Sequence, residues 1–462
     1  MCPKSEKICV RRFGARRACL AKSALAIEIA STQPLKKHRI EDCGHKIDAP
    51  DGRDVGGNHV VSEKTTGENP LPSAGQRAIA FLLLWWCGVC LRITVLTIPP
   101  VIPLLHADLH LSETEIGWLS SLPPMLFALA AVPGALLIAR FGIVPALVIG
   151  LLLNAVGSTA RAVLPNAALL YVSTIVMAGG VSIMQPSLPP LVRSWFPRRI
   201  GFATAIYTNG LLVGETVAVA LTIPFVLPLV DNSWRLNFVV WSIPVFATAL
   251  FVIACAPRPH SNDASAGRRL WWPDWRRPLI WRLGIILGAT NSMYFVTNAF
   301  LPDFVTAAGR ADLISSALTA VNICQLPASF LMLGLAGRLV KQPWAYVATG
   351  TLAFVSLIGM MTMSGAWIVF WAGLLGFANT ITLVLALALP SVLSAPEDVH
   401  RTSAGMFTIS YSMAMVLSVV GGWLWDFTHM PVASFAPAAV SALAILALAS
   451  TANHPDHPAN AD

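Results

Sequence analysis

The stretch IAFLLLWWCGVCLRITVLTIPPVIPLL, residues 79–105, decides the class of this protein. It is apolar throughout apart from one charge, Arg92, near its middle. About 20 residues of helix suffice to cross a bilayer core, so the stretch is long enough to span. A guanidinium at that depth costs about 2.5–3.5 kcal/mol on insertion scales. Arg92 must therefore face protein or water rather than lipid.

Eleven further apolar segments follow, at about 115–139, 143–164, 167–192, 200–229, 236–256, 279–302, 312–337, 344–363, 366–393, 401–425 and 432–451. The 462 residues are 55% hydrophobic and 12% charged, against about 25% charged in an average globular chain. A soluble single-core protein is excluded. The pattern predicts an all-α integral membrane protein of twelve transmembrane helices, because a helix satisfies its own backbone where no water is available. Prolines at 99, 100, 123, 124, 189, 190, 224 and 327 break some of the segments, which neighbouring helices or a cavity can resatisfy.

Charge sets the expected orientation. Thirteen Lys and Arg, among them Arg140, Arg193, Arg198, Arg199, Arg276, Arg277, Arg338 and Arg401, fall in the loops on one side, and three, Arg161, Arg235 and Arg310, on the other. With basic loops inside, both termini are expected in the cytoplasm and the protein in a bacterial inner membrane. Residues 1–78 hold 14 of the 31 basic residues and 9 of the 23 acidic ones. Their composition reads as a disordered cytoplasmic tail. Residues 257–278, polar and basic with Trp271, Trp272 and Trp275 interleaved, read as a cytoplasmic linker between six-helix bundles at 79–256 and 279–451, with a short tail at 452–462. That linker is either a plain tether or a segment whose Trp and Arg meet lipid headgroups. A weak repeat supports the halves: Arg140 recurs as Arg338, and Arg199 with Tyr207 recurs as Arg401 with Tyr411. Such duplication is typical of transporters with a central site between pseudo-symmetric halves.

Polar residues inside the spans are the candidate site. Trp85, Gly88 and Arg92 recur at i, i+3 and i+7, so an aromatic, a gap and a cation share one face, as a pathway for a small anion would need. The alternative is an arginine locked to Glu215 or to helix carbonyls. Glu215 lies mid-span in the fifth segment with Thr204 and Thr208 on its side of the helix. It is either a proton-coupling carboxylate or a counter-ion. Asn291, Tyr294 and Asn298 make a polar face on the seventh segment, Asn322 and Gln325 one on the eighth, and Gln185, Asn379 and Tyr411 add single polar groups. Interhelical hydrogen bonds would explain each of them as well as ligand contact does.

The chain lacks a phosphate cradle of the G-x-x-x-x-G-K-[ST] type, an H-E-x-x-H pair and a G-x-S-x-G elbow, so nothing suggests an enzyme, a metal centre or a cofactor. The eight cysteines lack metal-finger spacing, and the Cys87–Cys90 pair lies where thiols more often pack as small apolar groups. His454 and His457, in HPDHP, read as part of a solvated tail. The net charge of +8 is spread over tail and loops and is no nucleic-acid footprint.

The run GALLIARFG (134–142), with Arg140 and Gly142, resembles the signature loop of the major facilitator superfamily, with Ala139 where the superfamily usually has Asp. Within it, LRITVLTIPPVIPLL (91–105), LSETEIGWLSSLPPMLFALAAVPG (111–134) and LPPLVRSWFPRRIGFATAIYT (188–208) resemble the cyanate porter family. Arg92 matches that family's first-span arginine, while Cys90 and Ile93 replace its usual Asn and Pro and Glu215 stands where a small residue is usual. The resemblance implies a monomeric secondary transporter that moves a small solute, such as a cyanate-like anion or a nitroheterocycle, by alternating access. Arg92, Trp85, Gln185, Tyr207, Asn291, Tyr294, Asn298, Asn322, Gln325, Asn379 and Tyr411 are the expected ligand contacts, Glu215 the coupling group, and Arg140, Gly142 and Arg338 the gating loop. The expected partners are the solute, membrane lipids and, through Glu215, protons. Drug efflux by the same fold and a non-transporting sensor or scaffold remain open alternatives.

Overall fold

The computed structural model describes residues 74–110, 113–163, 166–257 and 270–453. The N-terminal tail and the HPDHP segment lie outside the described residues. Sixteen α-helices follow in chain order, and no strand occurs among the described residues. They are α1 (Ala74–Cys90), α2 (Ile102–Leu109), α3 (Glu113–Leu129), α4 (Ala131–Phe141), α5 (Ile143–Val163), α6 (Ala167–Trp195), α7 (Ile200–Leu221) and α8 (Leu227–Leu229), then α9 (Trp234–Cys255), α10 (Pro278–Ala307), α11 (Ile314–Ile323), α12 (Gln325–Leu339), α13 (Pro343–Thr362), α14 (Ala366–Leu393), α15 (Val399–Thr428) and α16 (Ala436–Ala447). Nine helical stretches among the described residues are long and apolar enough to cross a membrane, and α3 with α4 adds a tenth bent by 50°. Two shorter apolar helices, at 75–90 and 431–447, occupy the places of the first and last predicted segments.

The breaks have local causes. Pro133 lacks the N–H that would close the ladder onto Leu129, and the chain bends at Ala130 between α3 and α4. Pro327 acts likewise on Ile323, and α11 gives way to α12 at Cys324. In the first segment, Pro99 and Pro100 withdraw two donors. Residues 91–98 there leave the regular helix, with Leu91 and Arg92 bonding three residues back, to Gly88 and Val89, and Ile93 four back, to Val89. Irregular backbone at membrane depth is tolerated only where protein or a cavity covers it.

Within the first half, α1 packs on α7 and α9, and α5 on α6 and α9; within the second, α10 packs on α15 and α16, and α14 on α11, α12 and α13. Contacts across the halves run mainly between α7 and α12, α7 and α14, and α15 with α3, α4 and α6. The outer faces remain apolar: Leu250 and Ile253 on α9 and Val419 and Phe427 on α15 are well over half exposed. Such a surface suits hydrocarbon rather than water.

Close approach of α1 to α7 rests on glycine. A Cβ at Gly88 would lie 2.0 Å from the Tyr207 carbonyl oxygen, and one at Gly210 would lie 2.2 Å from that of Trp85. The Trp85–Gly88 part of that face therefore abuts α7 and does not open onto space. Small residues at such a contact let backbones meet closely enough for dispersion to hold them.

Candidate functional site

The unwound stretch after α1 turns Arg92 inward, where it meets groups from both halves of the chain. Its Nη2 donates to the Tyr411 hydroxyl at 3.4 Å, and its Nε lies 4.0 Å from Glu215 Oε2, both side chains being 15% exposed. The guanidinium also sits 5.6 Å from the centre of the Phe127 ring. Glu215, one helical turn beyond Leu211 on α7, accepts a hydrogen bond from Tyr294 of α10. A guanidinium, a carboxylate and two phenols thus share one buried locus.

Around it lies a cavity of about 610 Å³, lined by Arg92, Gln185, Tyr207, Glu215, Asn291, Tyr294, Gln325, Asn379 and Tyr411, with Leu91, Leu188, Leu211, Leu212, Leu287, Leu383, Leu387 and Phe407 as its apolar wall. Its lining, an apolar wall with a few convergent polar groups, is that of small-ligand sites. A second hollow of about 590 Å³ shares Arg92, Glu215 and Tyr294 with it and continues past Val95, Pro99, Pro123, Pro124 and Phe295.

Four residues of this lining each carry a buried polar atom with no hydrogen-bond partner among the described residues: Arg92 Nε, Tyr207 Oη, Gln185 Oε1 and Asn379 Oδ1. Buried polar groups are ordinarily paired, and an unmet one costs about 1–3 kcal/mol. Side chains with unmet donors and acceptors, gathered around one void, mark where a polar solute would repay them.

Further polar contacts hold the lining in place. Asn291 donates to Ser410 Oγ at 2.8 Å. Asn298 donates to the Tyr294 carbonyl at 2.9 Å, Asn322 to Asn298 Oδ1 at 3.0 Å, and Gln325 to Asn322 Oδ1 at 3.2 Å. Asn298 and Asn322 do not line the cavity; they form a network that holds Tyr294 and Gln325. Trp85 also lies off the lining, its Nε1 donating to Asn209 Oδ1 at 3.0 Å. Thr204 and Thr208 are fully buried and away from the lining, where Tyr207, Leu211 and Leu212 precede Glu215.

The cavity is shut at the arginine-rich end. Arg193 Nη1 donates to the carbonyls of Ser391 and Ser394 at 2.6 and 2.5 Å, and Ser391 Oγ donates to the Pro189 carbonyl at 2.8 Å. A Cβ added to Gly201 would lie 2.7 Å from Gly337 Cα, so the backbones of α7 and α12 are in contact there. Arg140 and Arg338 are exposed at this end, and Gly142 closes α4 with φ +92°. The crossing bonds come from Arg193 and Ser391 instead.

The sequence reading placed Arg161 in a loop, whereas it is wholly buried. Its signal was available. Asn154, Ser158 and Arg161 recur at i, i+4 and i+7 along an otherwise apolar span, which makes one polar stripe.

Residues 84–309 match the Major Facilitator Superfamily. The chain carries a Major Facilitator Superfamily domain. Its fold is that of the superfamily's transporters: the Major Facilitator Superfamily transporter FucP in the outward conformation superposes with a TM-score of 0.66 at 15% identity, over 82% of this chain and all of that one. Among curated relatives, the uncharacterized transporter YycB of Bacillus subtilis is 24% identical, covering 76% of this chain and 88% of its own. The 2-nitroimidazole transporter of Escherichia coli is 25% identical over 77% and 90%, and the cyanate transport protein CynX of E. coli 25% over 75% and 92%. The superfamily's members are transporters and not enzymes, and this chain is a multi-pass transporter of that fold.

Proposed function

We propose that the protein moves a small solute bearing an anionic or nitro group across a bacterial inner membrane, with both termini cytoplasmic, by alternating access between two six-helix bundles. The convergence of four unmet polar atoms on one cavity beside Arg92 carries this reading. Arg92 Nε meets the electron-rich group, Tyr207, Gln185 and Asn379 take the solute's remaining polar edge, and Phe407 and the leucines cover its faces. The names of the relatives, one for cyanate and one for 2-nitroimidazole, describe solutes of this chemistry. The shut arginine-rich end is one of the two states such a cycle needs.

Glu215 couples the solute to a proton. The carboxylate balances Arg92 and is held by Tyr294. A solute anion that engages Arg92 leaves two negative groups around one cation, and a proton on Glu215 removes that penalty. One proton then accompanies each anion. A cationic drug is disfavoured, because the only carboxylate on the cavity lining among the described residues is already occupied by Arg92 and Tyr294.

Uptake of 2-nitroimidazole and of cyanate into proteoliposomes, with and without an inward proton gradient, tests this. Accumulation of at least one of them, stimulated by the gradient and lost in Arg92→Ala, is expected. Wild-type accumulation in Arg92→Ala would remove Arg92 from the site.

A further inference from the structure

The unwound stretch 91–98 has a cavity side, which carries Arg92, and a dry side, which faces α5. On the dry side Arg161 is wholly buried. Its Nη2 donates to the Thr94 carbonyl at 3.0 Å and to Ser158 Oγ at 2.9 Å, and its guanidinium lies 4.2 Å from the centre of the Phe238 ring. Nε and Nη1 have no partner among the described residues. Two turns earlier, Asn154 donates from Nδ2 to the Cys90 carbonyl at 2.9 Å and accepts from Thr94 Oγ1 at 2.7 Å. Thr97 Oγ1 adds a bond to the same Thr94 carbonyl at 2.8 Å.

Cys90 and Thr94 bracket Arg92, two residues to either side. In a regular helix their carbonyls would serve the chain's own ladder; here each takes a side-chain donor from α5. An unpaired guanidinium in dry packing is costly, so a neutral staple would be cheaper if only a tether were needed. A charged donor forms a shorter, stronger bond to a carbonyl, and the Phe238 face offsets part of the burial. Pro99 and Pro100 leave the stretch without donors of its own just beyond this point.

We propose that Arg161, assisted by Asn154, is a positioning residue. It clamps the backbone on either side of Arg92 and so fixes where the ligand-binding guanidinium enters the cavity. This rests on the reading of Arg92 as the ligand contact, and the test separates the two.

Purified full-length protein in nanodiscs is compared as wild type, Arg161→Met, Arg161→Lys and Arg92→Ala. Hydrogen exchange is followed at the amides of 91–98 and of α14, and binding of 2-nitroimidazole and cyanate is titrated in parallel. In Arg161→Met, exchange over 91–98 should rise about ten-fold, the scale of one lost charge-assisted bond, with α14 unchanged and probe affinity falling by a similar factor. Arg161→Lys, which keeps a charged donor, should recover most of both. Wild-type exchange over 91–98 in Arg161→Met, or an equal rise in α14, would overturn the clamp. A rise confined to 91–98 with unchanged affinity, while Arg92→Ala weakens binding, would overturn the positioning role. Unchanged affinity in Arg92→Ala would instead defeat the site reading and leave the exchange data to judge the clamp. Should Arg161→Met fail to fold, Asn154→Ala is read by the same exchange criterion.

Discussion

Two arginines flank one unwound turn and live in opposite surroundings. Arg92 has a carboxylate at 4.0 Å, a phenol at 3.4 Å and a void beside it. Arg161 has a carbonyl, a serine hydroxyl and an aromatic face, and it lines neither hollow. The difference teaches that an intramembrane cation is not by itself a ligand site. What marks a site is a void bordered by polar atoms that nothing else satisfies.

The sharpest break in this comparison is Arg92→Ala. Removing a charge-assisted contact is worth about 1.5–3 kcal/mol, so proteoliposome uptake at low solute concentration should fall at least ten-fold while the amount of folded protein holds. Glu215→Gln comes next. It keeps an oxygen to accept from Tyr294 but frees Arg92, so probe binding should persist or tighten and accumulation driven by a proton gradient should vanish. An unchanged response to the gradient would reduce Glu215 to a counter-ion.

A smaller effect is expected at the shut end. Arg193→Ala removes two bonds to the α14 terminus and should raise labelling of a cysteine introduced at Gln185 from the arginine-rich side several-fold, without altering equilibrium affinity by more than about two-fold. The smallest is Asn298→Ala, which loosens the network behind Tyr294. A KM rise of about two- to five-fold with an unchanged maximal rate fits the loss of one neutral hydrogen bond.

The Asp398 contacts at the shut end add no pH dependence of their own near neutrality. Burial pushes the Asp398 carboxyl up, but hydrogen bonds and charge from Arg401 and Arg277 outweigh it and hold it below the ordinary carboxylate range. A depressed carboxyl contributes its stability above its unfolded value and loses it only as pH falls through the folded one. The Asp398 contacts with Arg277 and Arg401 should therefore hold from pH 5 to 8, read as an equal effect of Asp398→Asn on proteolysis of the 394–400 loop at both ends of that window.

Much of the fold was legible because lipid demands long apolar segments and because prolines mark their own breaks. Arg92, Glu215, Tyr294 and Tyr411 could be picked out as polar groups at spanning depth, and they meet. Their partners were less legible. Trp85 and Gly88 share a face with Arg92 in a straight helix, yet glycine contacts draw that face onto α7. Arg161 sits near a span end, where position alone cannot tell a loop charge from one folded back into the bundle. Arg193 was read as one more loop charge; its part in closing the cavity appears only when α6 and α14 are brought together.

The most direct test of the central claim is a structure of the protein with 2-nitroimidazole bound. The probe is expected in the cavity with its nitro group against the Arg92 guanidinium and its ring edge toward Tyr207, Gln185 and Asn379. A probe bound at any place that leaves Arg92 untouched would contradict it.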